Sequence, residues 1–485
     1  MNDFNLIEEP WIKVSNHECV SLRQLFTDTS LISLGGNPVE KICVLNLLLG
    51  LVQRTCTPKD SNEWINLDIK TIMEKTLKYL ENNDDLFSLF GDKPFLQMSI
   101  FDISDSKQQH QYKSLQFHTA SSESAVVLFQ SHQGFKLSNS EKVYLLLQTL
   151  GYSFGGKKCG KINDKLKNIL GGPALGRQGY LHNFLKGSTI LDTIKLNIIS
   201  LKQIAETGYQ CGLGTPPWEN MPKTQTCARA ENLKQTYIGR LIPLSRFVLL
   251  KDDYVFFTEG IIYPTHKEGG IDISISKSTE QVIWTDPEKR PWRQLSSLLG
   301  SINAQSNNKK RFECLQLKFG FENIKMSSKT EFGIWSGGIK VSNQTGEQSM
   351  KFNDDFVESE IILSSKIFSD SSDWYSKIEE EIKVLDNYSK ILFSSISKYF
   401  KDFKANGKGI AKQAVNLYWQ VCEQNFKELN EICNSNELDS DDFRKKMVKH
   451  AYNIYDKYCL AETMRQINLW AKNRPKFYLK KENAK

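Results

Sequence analysis

The sequence predicts an α+β fold, with a large mixed N-terminal globular domain at residues 1–368 and a C-terminal helical bundle of the four-helix type at residues 369–485. Three observations support this prediction. A chain of 485 residues is too long for one simple core. Short β-like runs alternate with helical patterns and many glycines in the first part of the chain. After the polar stretch SSKIFSDSSDWY, glycine almost disappears and proline is absent until Pro475.

The N-terminal domain is predicted to contain both strands and buried helices. The β-like runs WIKV, FVLL, YVFF and IDISIS predict strands. The longest apolar run, ICVLNLLLGLV, is shorter than the roughly 20 residues that a membrane helix needs, and it carries Asn46 in its middle. It therefore predicts a buried helix, and we expect no membrane partner.

Three long helical patterns predict the C-terminal bundle, at residues 373–403, 410–433 and 441–471. The breaks between them are ANGKG and NSNELDSDD, and the second break ends in residues that favour a helix N-cap. Lysines spaced three or four apart lie on the first helix and the turn after it. This spacing favours a solvated helix face, although it could also follow a DNA strand. These lysines are Lys398, Lys401, Lys404, Lys408 and Lys412.

The composition limits the classes of function. The net charge of +7 permits contact with nucleic acid without requiring it. The ten cysteines include no C-x-x-C pair, so a zinc site is not expected, and we predict neither a metal nor a cofactor. The N-terminus MNDFNLIEEPW is acidic and lacks the apolar core of a signal peptide. We therefore expect a cytoplasmic protein with reduced cysteines.

The stretch GYSFGGKKCGK fits two short enzyme patterns. Residues 151–155 fit the esterase pattern G-x-S-x-G, and residues 151–157 fit the phosphate-loop pattern G-x-x-x-x-G-K. Both patterns require a β-strand directly before the glycines. A phosphate loop also requires serine or threonine at position 158, where Lys158 stands. A serine hydrolase or nucleotide-hydrolysing enzyme that uses residues 151–158 is the alternative hypothesis.

A helix is predicted before these glycines instead of a strand. Ser138 and Glu141 form a capping-box pattern, and apolar residues then recur at helical spacing. Gly151 is at the position of a helix C-cap. The simplest interpretation is a connector that follows a helix. The other is a glycine turn whose bare backbone approaches a phosphate-bearing polymer, with Lys157 and Lys158 beside it.

A second glycine pair lies in FGIWSGGIKVSNQTGEQSM. Gly337 and Gly338 precede a short β-like run, and residues 343–346 then predict the tip of a hairpin. Such a sequence is commonly a polar turn. The alternative is an exposed amide side chain, held on a rigid hairpin, that can enter a DNA groove.

Taken together, these segments resemble the large subunit of the type I-E CRISPR surveillance complex, Cascade, which is the CasA family. The similar segments follow the family's order and cover nearly the whole chain, and their order and spacing matter more than any one of them. They are FNLIEEPWIKV, KPFLQM, FGGKK, FLKGSTILDTIKLNII, PPWE, RPWRQLSSLL and SGGIKVSNQ.

The resemblance implies a non-catalytic protein that recognises the motif flanking a DNA target, the PAM, through the minor groove. It then wedges the duplex open so that guide RNA can pair and an R-loop can form. In the family these roles belong to a glycine loop, a lysine finger and a glutamine wedge. The residues implied here are Gly155, Gly156, Lys267, Asn343 and Gln344. Lys277 is the alternative to Lys267 as the finger.

The resemblance also implies the partners of an antiviral ribonucleoprotein. They are other Cascade subunits, the CRISPR guide RNA, the duplex target with its displaced strand, and an effector helicase-nuclease. The family loop at the 5′ end of the guide corresponds to VVLFQSHQG, around Phe129 and Gln130. Lys157 and Lys158 are further candidates for phosphate or guide-RNA contacts. The sequence departs from the family pattern in its less glycine-rich loop and in lacking the cysteine cluster of some members.

Overall fold

The computed structural model describes residues 4–99, 109–115, 136–152, 179–263, 271–276, 281–287, 312–341, 355–368, 373–434 and 440–477. The chain separates into two compact units. The N-terminal unit comprises Met1–Pro287, Ser297–Lys329 and Gly333–Glu358. The C-terminal unit comprises Glu288–Ser296, Thr330–Phe332 and Ser359–Lys485. The domain boundary expected after residue 368 stays a prediction.

Strands occur along the first three quarters of the chain, as predicted for a mixed fold. The described strands are β1 (Ile12–Val14), β2 (His17–Val20), β3 (His182–Lys186), β4 (Arg246–Leu250), β5 (Val255–Glu259), β6 (Ile275–Ser276), β7 (Phe312–Glu313), β8 (Glu331–Ile339) and β9 (Phe356–Ser364). They form a three-stranded sheet of order β3-β8-β9 and three two-stranded sheets, β1-β2, β4-β5 and β6-β7. Of the four predicted strands, IDISIS is shorter than expected, because only its last two residues form β6.

Helices occur in both units. Those described in the N-terminal unit are α1 (Leu22–Leu25), α2 (Pro38–Cys56), α3 (Ser61–Asn66), α4 (Ile69–Asn82), α5 (Asn139–Tyr152), α6 (Ile190–Leu196), α7 (Leu201–Ala205), α8 (Ala228–Lys234), α9 (Tyr237–Leu241) and α10 (Leu315–Met326). Those of the C-terminal unit are α11 (Trp374–Asp402), α12 (Lys408–Gln424), α13 (Phe426–Asn434), α14 (Ser440–Tyr458) and α15 (Met464–Asn473). The α+β class and the C-terminal helical bundle are therefore confirmed.

Helix α2 lies at the centre of the N-terminal unit and corresponds to the predicted buried apolar helix. It begins at Asn37, whose side chain accepts from the backbone N–H of Glu40 while the Glu40 side chain accepts from Asn37 in return. Pro38 occupies the first helical turn, where its missing N–H costs nothing. The helix packs against α4 and α5. Asn46, in the middle of its apolar run, is buried as well.

The C-terminal unit is built around the 29-residue α11, which packs against α12, α13, α14 and α15. The second and third predicted helices are each divided in two. Asn425 interrupts the second, and its side-chain amide donates back to the carbonyl of Val421, 2.7 Å away. The third is divided because Thr463 forms a capping box with Gln466 and so starts a new helix, α15.

The connection between α11 and α12 also differs from the predicted break at ANGKG, because the chain turns before the glycines. Helix α11 ends at Asp402, and Lys404 takes the left-handed conformation at φ 60°. The N–H of Lys404 donates to the carbonyl of Lys401, and that of Ala405 donates to Phe400, both over 2.9 Å. This is the hydrogen-bond pattern of a Schellman C-cap, in which glycine is the usual residue at the left-handed position. None of the helices in the described ranges is long and apolar enough to cross a membrane.

Candidate nucleic-acid interface

The residues predicted to contact nucleic acid lie outside the described residues. They are Phe129, Gln130, Gly155, Gly156, Lys157, Lys158, Lys267, Asn343 and Gln344, and the alternative Lys277 lies outside as well. The structure shows the elements on either side of the segments that carry these residues. We call residues 153–178 the glycine segment, residues 264–270 the lysine segment and residues 342–354 the hairpin segment. The described residues that flank a segment are its roots.

Helix α5 leads into the glycine segment and settles the local context of the two enzyme patterns. It starts as predicted, because the Ser138 backbone N–H donates to Glu141 Oε2 over 2.8 Å and Ser138 Oγ accepts from the Glu141 N–H. The predicted C-cap at Gly151 is wrong, since the helix continues through Tyr152. The reason is that the Tyr152 ring is buried and packs on His182, which holds the last turn in place. A helix therefore precedes Ser153, where both enzyme patterns require a strand.

The two roots of the glycine segment meet near His182. The rings of Tyr152 and His182 lie 5.3 Å apart, and the Tyr152 hydroxyl is 3.4 Å from His182 Nδ1. The same Nδ1 is 3.1 Å from Oδ2 of Asp272. Asp272 is the second described residue after the segment that carries Lys267. One buried cluster thus joins the roots of the glycine segment to a root of the lysine segment.

The far root of the glycine segment also lies beside the start of the segment that carries Gln344. Gly179 has a left-handed backbone, φ +83°, and a Cβ there would lie 3.1 Å from the Trp284 ring and 3.6 Å from Cβ of Val341. The Trp284 ring packs edge-on against Tyr180 at 4.5 Å. Burial raises the pKa of Tyr180 to about 12, so its hydroxyl stays neutral at physiological pH. Val341 is the last described residue before residues 342–354.

Strand β8 brings the hairpin root to this place because it pairs with β3. The two strands are antiparallel, with His182 opposite Gly337. A Cβ on Gly338 would lie 2.4 Å from Oγ1 of Thr285 and 2.6 Å from the Tyr180 carbonyl, so only glycine fits the backbone here. The backbone N–H of Lys340 donates to the Asp355 carbonyl over 2.9 Å and closes the base of the hairpin.

The lysine segment has roots at Tyr263 and Ile271. The Tyr263 hydroxyl accepts from the backbone N–H of Leu244 over 2.9 Å, which fixes the end of the β5 segment. The Ile271 carbonyl accepts from the N–H of Gln316 over 2.8 Å. The Asp272 carbonyl accepts from the N–H of Asn183 over 2.7 Å. The second root is therefore fixed directly against β3.

The segment that carries Phe129 and Gln130 is rooted elsewhere. Its described flanks are Leu115 and Lys136, and Lys136 precedes the N-terminus of α5. The 14 residues of α5 span about 20 Å, so this root and Tyr152 lie at opposite ends of the helix. The structure thus joins the roots of the glycine, lysine and hairpin segments, while the described root of the guide-RNA segment at Lys136 lies at the other end of α5.

Sequence reasoning missed the buried residues that join the roots, namely Tyr152, His182 and Asp272. The run IDISIS predicts a strand, with no indication of how buried its polar residues are. In the structure both faces are buried, since Asp272 and Ser274 are each 1% exposed. A buried aspartate requires a hydrogen-bond partner, and the histidine in YLHNFLK was the one signal that could have suggested it. Among the described residues, no group of histidine, cysteine, aspartate or glutamate side chains could hold a metal ion.

The fold and roots define a class of protein in which one unit combines helices with several small sheets and the other unit is a helical bundle. Solved structures of that class match nearly the whole chain. The Cse1 protein of Thermobifida fusca matches with a TM-score of 0.71 at 17% identity, covering 97% of each chain. Cse1 from Acidimicrobium ferrooxidans matches at 0.68 and 16% identity, covering 98% of this chain and 99% of that one. CasA of Thermus thermophilus matches at 0.67 and 14% identity, covering 97% and 98%.

These identities are low, so the structural matches establish the fold. The family follows from the sequence model of the CRISPR-associated protein Cse1, which matches residues 5–456. The chain belongs to the Cse1 family of CRISPR-associated proteins. The predicted membership in the family of type I-E Cascade large subunits is thereby confirmed. A comparison with curated proteins found no match.

Proposed function

We propose that this chain is the non-catalytic large subunit of an RNA-guided Cascade complex that recognises the PAM through the minor groove and opens the duplex for guide pairing. A solved structure with 16% identity and a TM-score of 0.66 is described as a CRISPR RNA-guided surveillance complex. The proposal extends that role to this chain. Its partners are the other Cascade subunits, the guide RNA, the target DNA with its displaced strand, and an effector helicase-nuclease in the cytoplasm.

The observation that carries the proposal is the meeting of three roots in one buried cluster. Gly155 follows Tyr152 by three residues, Gln344 follows Val341 by three, and Lys267 precedes Ile271 by four. An extended chain advances at most about 3.6 Å per residue, so each is tethered within about 14 Å of its root. Three segments that must act on a few adjacent base pairs therefore start from a shared base.

The chemistry of the tethered residues suits the minor groove. A·T and T·A pairs present only acceptors there, whereas G·C pairs add one amino group. The ammonium group of Lys267 can donate a hydrogen bond to the acceptors in such a groove. The bare backbone of Gly155 and Gly156 can come close enough to exclude the guanine amino group. We therefore expect a permissive readout that tolerates several flanking motifs, while guide pairing supplies sequence specificity.

Gln344, with Asn343 beside it, is proposed to act as the wedge. A side chain inserted at a base-pair step costs a few kcal/mol of unstacking, and contacts made in the opened groove offset that cost. The hairpin base at Lys340 and Asp355 would support such a side chain on a fixed frame. The segment with Phe129 and Gln130 is proposed to contact the guide RNA. Its described root lies at the other end of α5 from Tyr152.

The test of the proposal is R-loop formation by complexes that carry Gln344→Ala. Without the wedge, strand separation beside the motif should slow by a factor that corresponds to a few kcal/mol, while initial motif contact persists. A target with a pre-opened bubble beside the motif should restore R-loops, because the unpairing is already done. Strand-specific footprinting on paired and bubbled targets measures both.

Gln348→Ala is the matched control, since it removes the same side chain four residues further along the same segment. It should behave as wild type on both targets. An equal defect of Gln344→Ala on paired and bubbled DNA would assign the residue to motif contact or structure. A defect confined to Gln348→Ala would move the wedge to that position.

A further inference from the structure

A small group of buried polar side chains links the roots. Oδ2 of Asp272 lies 3.1 Å from His182 Nδ1 and 3.3 Å from Nδ2 of Asn46. A carboxylate oxygen only accepts hydrogen bonds, so the histidine and the amide supply the hydrogens. The Tyr152 ring closes the group from the end of α5. The His182 and Asp272 side chains are 0% and 2% exposed.

We infer that Tyr152, His182 and Asp272, which we call the root triad, are positioning residues that set the glycine, lysine and hairpin segments relative to one another. The inference rests on the proposed function, because it assigns the triad a role in motif recognition. Tyr152 and His182 lie on the two sides of the glycine segment, which Tyr152 directly precedes. Asp272 follows the lysine segment by two residues, and His182 reaches the hairpin side through β8, where it pairs across the sheet with Gly337.

The energetics favour a positioning role over a purely stabilising one. A buried charged group is costly, and well-packed apolar side chains of similar volume are often as stable as a buried ion pair. A hydrogen-bonded pair instead fixes geometry, since it accepts few arrangements of its donor and acceptor. The neighbouring backbone is held by the hydrogen bond from Asn183 N–H to the Asp272 carbonyl. The Asn46 amide fixes the carboxylate against α2, which itself contacts both α4 and α5.

The experiment compares His182→Leu with His182→Asn in the assembled complex. Leucine keeps apolar volume but cannot donate to Asp272, whereas the asparagine amide can replace the Nδ1–H. We expect His182→Leu to weaken binding to a motif-bearing duplex about tenfold, as for the loss of one buried polar contact of roughly 1.4 kcal/mol. Asparagine should recover most of the affinity. Tyr152→Phe removes only the hydroxyl and should weaken DNA binding less. It replaces His182→Leu in the experiment if that variant does not fold.

Asn323→Leu is the matched control for a structural defect. Asn323 is fully buried in the same unit and is not a member of the root triad, and its Oδ1 accepts from Gln203 Nε2 over 3.2 Å. The Asn323→Leu variant should lower the thermal midpoint of unfolding, as His182→Leu does, but it should leave the DNA affinity unchanged. Hydrogen–deuterium exchange gives a readout that is independent of DNA. Peptides covering residues 153–178 and 264–270 should exchange faster in His182→Leu and normally in Asn323→Leu.

The outcomes separate this inference from the proposed function. Unchanged exchange in His182→Leu, or equal changes in both variants, would overturn the triad as a positioning group. Faster exchange with normal DNA binding, while Gln344→Ala is defective, would overturn its role in recognition and leave the proposed function intact. Normal R-loops in Gln344→Ala together with normal DNA binding in His182→Leu would overturn both.

Discussion

The root triad and the C-terminal bundle differ in how their contacts are encoded along the chain. In α11, the buried side chains Ile378, Leu385 and Leu392 recur at helical spacing, so nearby sequence determines which face is buried. At the roots, by contrast, His182 pairs with Gly337, and His182 contacts Asp272, 90 residues away. The comparison shows that the bundle follows local periodicity, whereas the proposed recognition frame depends on contacts that close only in the folded unit.

The two regions also differ in what their buried polar pairs join. In the bundle, Arg444 on α14 holds Glu381 on α11 through two guanidinium nitrogens, with the Nε donor 3.0 Å from Oε2. That pair joins two helices whose apolar faces already pack together. At the roots, the His182–Asp272 pair joins the ends of different segments, among buried apolar side chains such as Tyr180 and Ile273. We therefore expect loss of the bundle pair to appear as lost stability alone, whereas loss of His182 should lower stability and also weaken recognition.

The largest expected effect on stability comes from Arg444→Ala. The side chains of Arg444 and Glu381 are only 12% and 7% exposed, so the substitution leaves a carboxylate buried without its cation. Such a loss costs about 3–5 kcal/mol of unfolding free energy. Chemical denaturation measures it. Lys446→Ala is the control from the same helix, because its pair with Glu428 is 43% and 44% exposed and should contribute at most about 1 kcal/mol. Similar losses in both variants would contradict the distinction.

A smaller effect is expected from alanine at two glycines, one in each region. In Gly338→Ala, the new Cβ would lie 2.4 Å from Thr285 Oγ1 and 2.6 Å from a backbone carbonyl, which cannot move aside. Overpacking of this kind costs about 1–3 kcal/mol. Gly409→Ala, in the first turn of α12, meets nothing within 4 Å and should be neutral or stabilise the bundle by up to about 1 kcal/mol. Thermal unfolding of both variants tests the opposite signs. A neutral Gly338→Ala would show that the root can shift to make room.

The same contrast explains how much the sequence could predict. Residue spacing predicted α5 and the long α11, because apolar residues recur at helical spacing in both, although α5 is buried on nearly all sides and α11 mainly on one face. It missed the divisions at Asn425 and Thr463, which depend on single side-chain hydrogen bonds. It also missed the left-handed Lys404, since glycine is the residue that usually signals such a turn.

The candidate site was predictable in a different way. The glycine, lysine and glutamine positions came from a resemblance, and they lie outside the described residues, so they stay predictions. The root triad was invisible in the sequence, because no local pattern indicates that Tyr152 and Asp272 converge on one histidine. The run IDISIS did not indicate it either, since Asp272 lies outside the short β6 and is buried together with Ser274.

The smallest expected effect concerns His110, which gives the N-terminal unit a dependence on pH away from the roots. Its backbone N–H donates to the Val255 carbonyl, and its ring packs on Phe257 at 4.7 Å. Burial lowers the pKa of His110 below its ordinary value of about 6.5. The buried Nε2 has no hydrogen-bond partner among the described residues, so nothing there compensates a proton on it.

The direction of the pH effect follows from this lowered pKa. Between the ordinary pKa and the lower folded one, the unfolded chain binds more protons than the folded protein. The stability contributed by neutral His110 is therefore complete above about pH 6.5 and is lost as the pH falls through the folded pKa. His110→Leu should remove the part of the stability loss at low pH that His110 causes, while keeping an apolar contact with Phe257. Urea denaturation of wild type and variant at several pH values between about 5 and 8 measures the difference. Parallel stability curves would show that His110 is protonated as easily in the folded protein as in the unfolded chain.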